Sequence, residues 1–258
     1  AIAEYYADDM EKQAECRHKV MQASGFLMEL VNNVLNMNKL ESGEMKPENK
    51  PFDLIELLKE TTSIVEMQGQ EYAIHFQMQM GKHKYRHLIG SPLYLKQVLQ
   101  NIGGNAVKYN RAGGAVTFAS EDVAYPDGRV VVKFTCTDTG RGMSREFLAH
   151  AFEPFSQENT DARTTFTGTG LGLAITKQMV ELMEGTISLK SEQNVGTTIS
   201  VTIPFRIDVD YTETKEDVKP ADAASLEGVH VLLVEDNELN MEIAQFLLKK
   251  AGITVTTA

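Results

Sequence analysis

Residues 97–109 read Gln97-Val-Leu-Gln-Asn101-Ile-Gly-Gly-Asn105-Ala-Val-Lys108-Tyr109. Asn101, Asn105 and Lys108 stand at i, i+4 and i+7, and at ~100° per residue all three fall on one helical face. Leu95, Val98, Leu99, Ile102 and Ala106 take the neighbouring face. This predicts a helix glued to a sheet on one side and presenting amides and a cation beside it. Amide oxygens are ligands for hard cations, and Mg²⁺ takes few protein ligands alongside substrate phosphates. Lysine supplies a point charge for phosphate. A solvated polar stripe would show the same spacing. Gly103 and Gly104 shift the balance, because a glycine inside a helix costs ~1 kcal/mol relative to alanine. Two in a row imply the close approach of another segment or of a ligand. Ser91 followed by Pro92 predicts the helix start, with a capping hydroxyl and then the residue suited to the first turn. The helix is expected to run to about Asn110.

Upstream, Val20, Ala23, Leu27, Leu30, Val34 and Met37 form a three-four spaced stripe. It predicts one long helix over the first forty-odd residues, ended by Gly43 and Pro47 and suited to a bundle or coiled coil. A new unit begins near Pro51, with a helix from Asp53 to Gly69. Ala73–Met80 alternates and reads as a strand, as do Val116–Ser120 and Val130–Thr137, the last two joined by a turn at Pro126-Asp127-Gly128. A helix over Leu171–Glu184 is followed by a hairpin, Thr186–Ser191 and Thr197–Pro204. Helices and strands mix without regular alternation, so the fold class expected is α+β: helices on one face of a mixed, mostly antiparallel sheet.

Residues 207–227 change to linker composition, with Asp208, Asp210, Glu213, Glu216, Asp217 and Asp222 among few large apolar groups. Beyond them Val229–Val234 reads as a continuous apolar strand ending in Glu235-Asp236-Asn237, then a helix to about Ala251 and a strand over Ile253–Thr257. About thirty residues cannot bury a core of their own, so this parallel strand–helix–strand start is expected to be incomplete as given, and disordered or held against the preceding domain. Four segments result: 1–46, 47–206, 207–227 and 228–258.

The 258 residues hold 25 Lys and Arg against 36 Asp and Glu, a net charge of −11. That argues against a broad nucleic-acid-binding face. A composition of 42% hydrophobic and 24% charged residues excludes wholesale disorder. No apolar run approaches the ~20 residues that span a bilayer, and no signal peptide opens the chain. The expectation is a cytoplasmic piece of something longer, with no membrane contact of its own; an anchor upstream stays open. Cys16 and Cys136 alone make neither a disulfide framework nor a zinc set, and reduced, structural thiols are expected.

Two glycine-rich segments complete the pattern. Asp138-Thr-Gly140-Arg-Gly142-Met143 follows a strand directly and offers a bare backbone wall beside one acceptor, which an adenine amine could use. Gly168-Thr-Gly170-Leu-Gly172-Leu173 opens a helix, where backbone N–H groups and the helix dipole favour an anion. It is neither a Rossmann fingerprint nor a Walker loop. The polar stretch Ser156–Thr167, containing Arg163, reads as a lid over it.

Taken in order, these motifs resemble the ATP-binding domain of sensor histidine kinases, within the GHKL ATPases. Residues 97–109 look like the family's asparagine box, Asp138–Met143 its first glycine box, Phe152-Glu-Pro-Phe155 its phenylalanine box and Gly168–Leu173 its second glycine box. The match spans roughly 51–205. It implies a Bergerat-type two-layer α/β sandwich, with ATP and Mg²⁺ as ligands. Asn105 would ligate Mg²⁺, Asn101 and Lys108 would serve the phosphates, Tyr109 would lie by the adenine and Asp138 would accept from its amine. Gly140, Gly142, Met143, Phe155, Arg163, Gly168, Thr169, Gly170, Leu171, Gly172 and Thr197 would complete the nucleotide site. Ser91 stands where the family often has Asp.

The first helix is similar to the second helix of the family's dimerisation and phosphoacceptor hairpin, which implies a homodimer. Val231–Asn237 looks like the start of a receiver domain, where Glu235 and Asp236 would be the acidic Mg²⁺ pair. Together they imply a hybrid histidine kinase, with a phosphoacceptor histidine and a receiver domain or response regulator as partners. None of His18, His75, His83, His87, His150 and His230 is followed by Asp or Glu, so the acceptor histidine is expected outside the chain. Two alternatives stay open: a nucleotide-binding dimerisation or interaction module without kinase activity, and an ATPase that hydrolyses ATP.

Overall fold

The computed structural model describes residues 9–126, 128–158, 169–211 and 229–257. The chain divides into two compact units, Ala1–Tyr211 and Thr212–Ala258.

In the first unit, helix α1 (Met10–Glu41) is capped by Asp9, whose carboxylate accepts from the Lys12 N–H at 3.0 Å. Its apolar stripe splits in use. Met37 and Leu40 pack against the core of the unit. Val20 and Leu27 stay more than half exposed, because within one chain nothing described covers that part of the helix.

A seven-stranded sheet follows, made of β1 (Lys50–Asp53), β2 (His75–Met80), β3 (His87–Gly90), β4 (Ala115–Ala124), β5 (Arg129–Asp138), β6 (Thr186–Glu192) and β7 (Gly196–Ile207). Its order is β1-β3-β7-β5-β4-β2, with β6 also paired to β7. Only β2 and β4 run parallel; every other pairing is antiparallel. Helices α2 (Leu54–Gln70), α3 (Pro92–Lys108) and α5 (Gly172–Leu182) supply the second layer, and α4 (Arg145–Leu148) is a single turn. Strand alternation sets the core. Val116 and Phe118, Val130 to Cys136 at every second position, and Ile199 to Phe205 at every second position are buried, and they meet Leu54, Leu58, Leu95, Val98, Leu99, Ile175 and Met179 of the helices. Intervening residues of the same strands are only partly buried. The fold is therefore α+β with helices on one face of a mostly antiparallel sheet.

Several details depart from the sequence reading. β1 and β3 are four residues each, too short for alternation to register, and α4 is equally short. β4 runs on to Ala124 through a bulge between Asp122 and Ala124. A buried polar clasp holds that extension: the His83 ring lies 2.7 Å from Asp122 Oδ1 and 2.9 Å from Ser120 Oγ. Asp122 Oδ2 accepts from the Lys84 N–H and the Tyr125 hydroxyl. α3 stops at Lys108 rather than Asn110. Ser91 is its N-cap, but the expected capping bond is not made; the hydroxyl is buried with no partner among the described residues. Asp127 of the predicted turn lies outside the described residues.

The second unit contains β8 (His230–Leu233), α6 (Glu238–Lys250) and β9 (Thr254–Thr257), with β8 and β9 parallel. Asn237 caps α6 through a bond from the Asn240 N–H. The strand–helix–strand order matches the reading of residues 229–257.

The glycine pair of α3 divides cleanly. A Cβ on Gly103 would meet Val65 methyls at 2.7 and 2.9 Å and the Phe118 ring at 2.9 Å, whereas one on Gly104 meets nothing within 4 Å. Overpacking costs ~1–3 kcal/mol against the ~1 kcal/mol that alanine returns in helix propensity. Thermal unfolding of Gly103→Ala should show a lower midpoint than wild type, and Gly104→Ala a midpoint higher by about 2–4 °C.

Candidate functional site

A cleft of about 1050 Å³, counting its open mouth, lies among α3, the end of β5, the start of β7 and the start of α5. β5 and β7 pair with Asp138 opposite Thr197 and Cys136 opposite Ile199, so all four line the cleft. Asp138 Oδ1 accepts from the Gly140 N–H at 2.8 Å and the Thr197 N–H at 3.3 Å. Among the described residues no donor reaches Oδ2, which leaves one acceptor for a ligand. Burial raises the carboxyl pKa, and the two amide bonds offset part of that rise. Burial likewise pushes the Cys136 thiol up, which removes it as a thiolate nucleophile.

Glycine is required after Asp138. A Cβ on Gly140 would lie 2.5 Å from the Tyr109 carbonyl oxygen, and one on Gly142, at φ +63°, would lie 1.9 Å from the Glu192 carbonyl oxygen. Between them Arg141 is pinned through its main chain: its N–H donates to Tyr109 O at 3.1 Å and its carbonyl accepts from Asn194 N at 2.6 Å. Its guanidinium sits 4.6 Å from the Tyr109 ring centroid.

From α3, Asn105, Lys108 and Tyr109 line the cleft. Asn101, one turn earlier, does not. Its Nδ2 donates to Thr176 Oγ1 on α5 at 3.3 Å, and that hydroxyl donates to the Gly172 carbonyl at 2.7 Å. Asn101 thus ties the two helices together. Leu171 is the N-cap of α5 and makes no side-chain cap bond, which leaves the N–H groups of the first turn, from Gly172 on, available to an acceptor such as an anion. Thr169, Gly170 and Gly172 line the cleft there. Gly170, at φ +71°, lets the Phe155 backbone approach to where a Cβ would stand at 2.7 Å.

Of the residues expected from sequence, Asn105, Lys108, Tyr109, Asp138, Gly142, Met143, Thr169, Gly170, Gly172 and Thr197 converge on this cleft. Gly140 backs Asp138 from behind. Leu171 is fully buried, and Phe155, with a left-handed backbone of φ 63°, is 68% exposed and does not line the cleft. Arg163 and Gly168 lie outside the described residues. Glu235 and Asp236 follow β8 in the second unit, where Glu235 accepts from Asn240 Nδ2 at 3.0 Å. The sequence reading did not name the apolar walls Ile102, Ala106, Phe147 and Leu173 or the polar residue Arg141; Ser156, Gln157 and Glu158, from the stretch read as a lid, also line the cleft. Arg141 sat inside a motif already singled out for its glycines. Glu158 accepts from the Ser144 N–H, a pairing no local pattern announces.

Residues 90–207 match the family described as histidine kinase-, DNA gyrase B-, and HSP90-like ATPase. Among curated proteins, the chain is 29% identical over 245 residues to sensor histidine kinase GacS of Pseudomonas protegens, covering 95% of this chain and 26% of that one. It is 34% identical over 232 residues to sensor histidine kinase AruS of Pseudomonas aeruginosa, covering 90% of this chain and 22% of that one. Over residues 90–207 the chain is similar to this ATPase family. Among solved structures it is similar to full-length ShkA in complex with AMPPNP, with a TM-score of 0.63 at 26% identity, covering 96% of this chain and 48% of that one. The mycobacterial sensor histidine kinase MprB gives a TM-score of 0.51 at 26% identity, over 61% of this chain and 99% of that one. The chain thus spans about a quarter of the length of these curated relatives. No helix among the described residues is long and apolar enough to cross a membrane.

The raised pKa of Asp138 carries a stability consequence for the ATPase domain. A carboxyl whose pKa is higher folded than unfolded leaves the folded state holding more protons between those two values, so stability rises as pH falls through that window. Asp138→Asn, a neutral isostere, should unfold at a higher temperature than wild type at pH 7 without nucleotide. The gap should narrow as pH is lowered towards the ordinary carboxylate range. Scanning calorimetry across pH checks both signs.

Proposed function

We propose that residues 47–206 bind Mg²⁺·ATP and hold its γ-phosphoryl group for transfer to a histidine imidazole. One observation carries the reading: a single cleft combines a half-buried carboxylate with one unengaged oxygen, an asparagine amide, a lysine and an uncapped helix N-terminus. Asp138 Oδ2 accepts from the adenine amine, with the Tyr109 ring beside the base. Asn105 offers an amide oxygen to Mg²⁺, a donor set that suits a cation keeping phosphate and water ligands. Lys108 and the first N–H groups of α5 receive phosphate charge, and Asn101 fixes α5 relative to α3. Arg163 and Gly168, expected from sequence to complete the nucleotide site, lie outside the described residues. When bound, Mg²⁺ neutralises charge on the transferring group; the protein's own part is positioning.

Transfer is favoured over hydrolysis by Asn101. A water-activating base would stand at that position, one turn before Asn105, in clamp-type relatives of the family. An amide cannot accept that proton at neutral pH, and here its nitrogen is engaged with Thr176. The rest of the chain fits a cytoplasmic hybrid kinase. The exposed stripe of α1 supports a homodimer, and a dimerising nucleotide-binding module is the second reading that this stripe favours. Residues 207–227 have the composition of a linker, and residues 228–258 open a receiver domain whose acidic pair is Glu235 and Asp236. The phosphoacceptor histidine and a receiver aspartate are the partners in relay.

Thermal unfolding with and without Mg²⁺·ATP tests the site. Saturation at ~100 times the dissociation constant adds about 2.7 kcal/mol to the folded state, a rise of roughly 5 °C or more. The rise should need Mg²⁺ and vanish in Asn105→Ala. Asp138→Asn should bind ATP ~5–150-fold more weakly, since its amide N–H₂ meets the adenine amine donor to donor. No shift in wild type would sink the nucleotide reading. In the full-length parent, label from γ-labelled ATP should appear as an acid-labile, base-stable phosphohistidine; binding without it favours the interaction module.

A further inference from the structure

Thr169 is 7% exposed and lines the cleft beside the start of α5. Its Oγ1 accepts from the Leu171 N–H at 3.3 Å and from Asn33 Nδ2 at 3.0 Å. A hydroxyl has two acceptor lone pairs and one proton. With both lone pairs taken by N–H donors, the Thr169 proton must be donated in the remaining direction. Among the described residues no acceptor takes it. A phosphate oxygen at the uncapped N-terminus of α5 is an acceptor of the right chemistry and charge.

Asn33 belongs to α1, 136 residues earlier in the chain. It shares a face of that helix with Met37 and Leu40 at i, i+4 and i+7, and those two pack against the core of the unit. The bond to Thr169 therefore sits at the edge of a packed contact rather than on a free-swinging side chain. We propose that Asn33 is a positioning residue for the nucleotide: it fixes the Thr169 hydroxyl as a donor towards the polyphosphate, so the seating of α1 sets phosphate affinity. The inference rests on the nucleotide-site reading above.

Isothermal titration of the whole chain with Mg²⁺·ATP and, separately, with adenosine tests it. Asn33→Ala should weaken Mg²⁺·ATP about 3–10-fold, the range of one net hydrogen bond, and leave adenosine binding within about twofold of wild type. Asn33→Asp should weaken Mg²⁺·ATP further, by more than ~10-fold, because the carboxylate takes the Thr169 proton and adds like charge beside the phosphates. In a Thr169→Val background Asn33→Ala should have no further effect, whereas Thr169→Ser, which keeps the hydroxyl, should retain the dependence. Unchanged Mg²⁺·ATP affinity in Asn33→Ala overturns the proposal. So does an equal loss for adenosine, or an equal loss in the Thr169→Val background. A wild-type chain that binds no Mg²⁺·ATP removes the nucleotide reading and this inference together.

Discussion

The register between β5 and β7 is the constraint on which the site depends. Ten residue pairs fix it, from Arg129 opposite Arg206 to Asp138 opposite Thr197. A slip of one residue would send every side chain of β5 to the other face. Val130, Val132, Phe134 and Cys136 would leave the core, and Asp138 would lose the Thr197 amide that holds its Oδ1. The same pairing that buries the apolar row thus delivers the carboxylate to the end of the cleft, one oxygen satisfied and one unengaged. Burial makes that carboxylate costly to ionise, and the register is what keeps it there.

The helices carry the opposite chemistry. α3 is pressed onto the sheet closely enough that Gly103 accommodates Val65 and Phe118 without a Cβ. That depth brings Asn105 and Lys108 to the level of the strand ends. α5 is tied to α3 by the bond from Asn101 to Thr176, which links the wall bearing amides to the wall bearing uncapped N–H groups. The glycines on either side act by what they admit: Gly142 admits the Glu192 carbonyl, and Gly170 admits the Phe155 backbone. Neither approach tolerates a methyl group.

Most of this architecture was legible in the sequence wherever periodicity and chemistry coincided. Asn101, Asn105 and Lys108 were found because amides and a cation at 3.6-residue spacing stand out beside an apolar face. Asp138 was found because alternation marked the end of its strand. Four-residue strands carry too few alternations to be seen, which hid β1 and β3. Pairings between distant residues were invisible for a different reason. His83 meets Ser120 and Asp122 from 37 and 39 residues away, and Asn33 meets Thr169 across 136; nothing local in either partner names the other. Gly104 shows the reverse limit, since the same pattern that explained Gly103 leaves Gly104 in open space.

β7 is a twelve-residue strand, and a strand of that length extends roughly 35–40 Å. It opens with Gly196 and Thr197 beside Asp138 and ends at Ile207, where Leu88 of β3 pairs with it. One rigid element therefore runs from the nucleotide cleft to the point where the chain leaves the sheet. The outgoing segment departs from the rim of the domain remote from the cleft. The chain therefore enters β7 at the cleft and leaves it, at Ile207, a full strand length from Asp138.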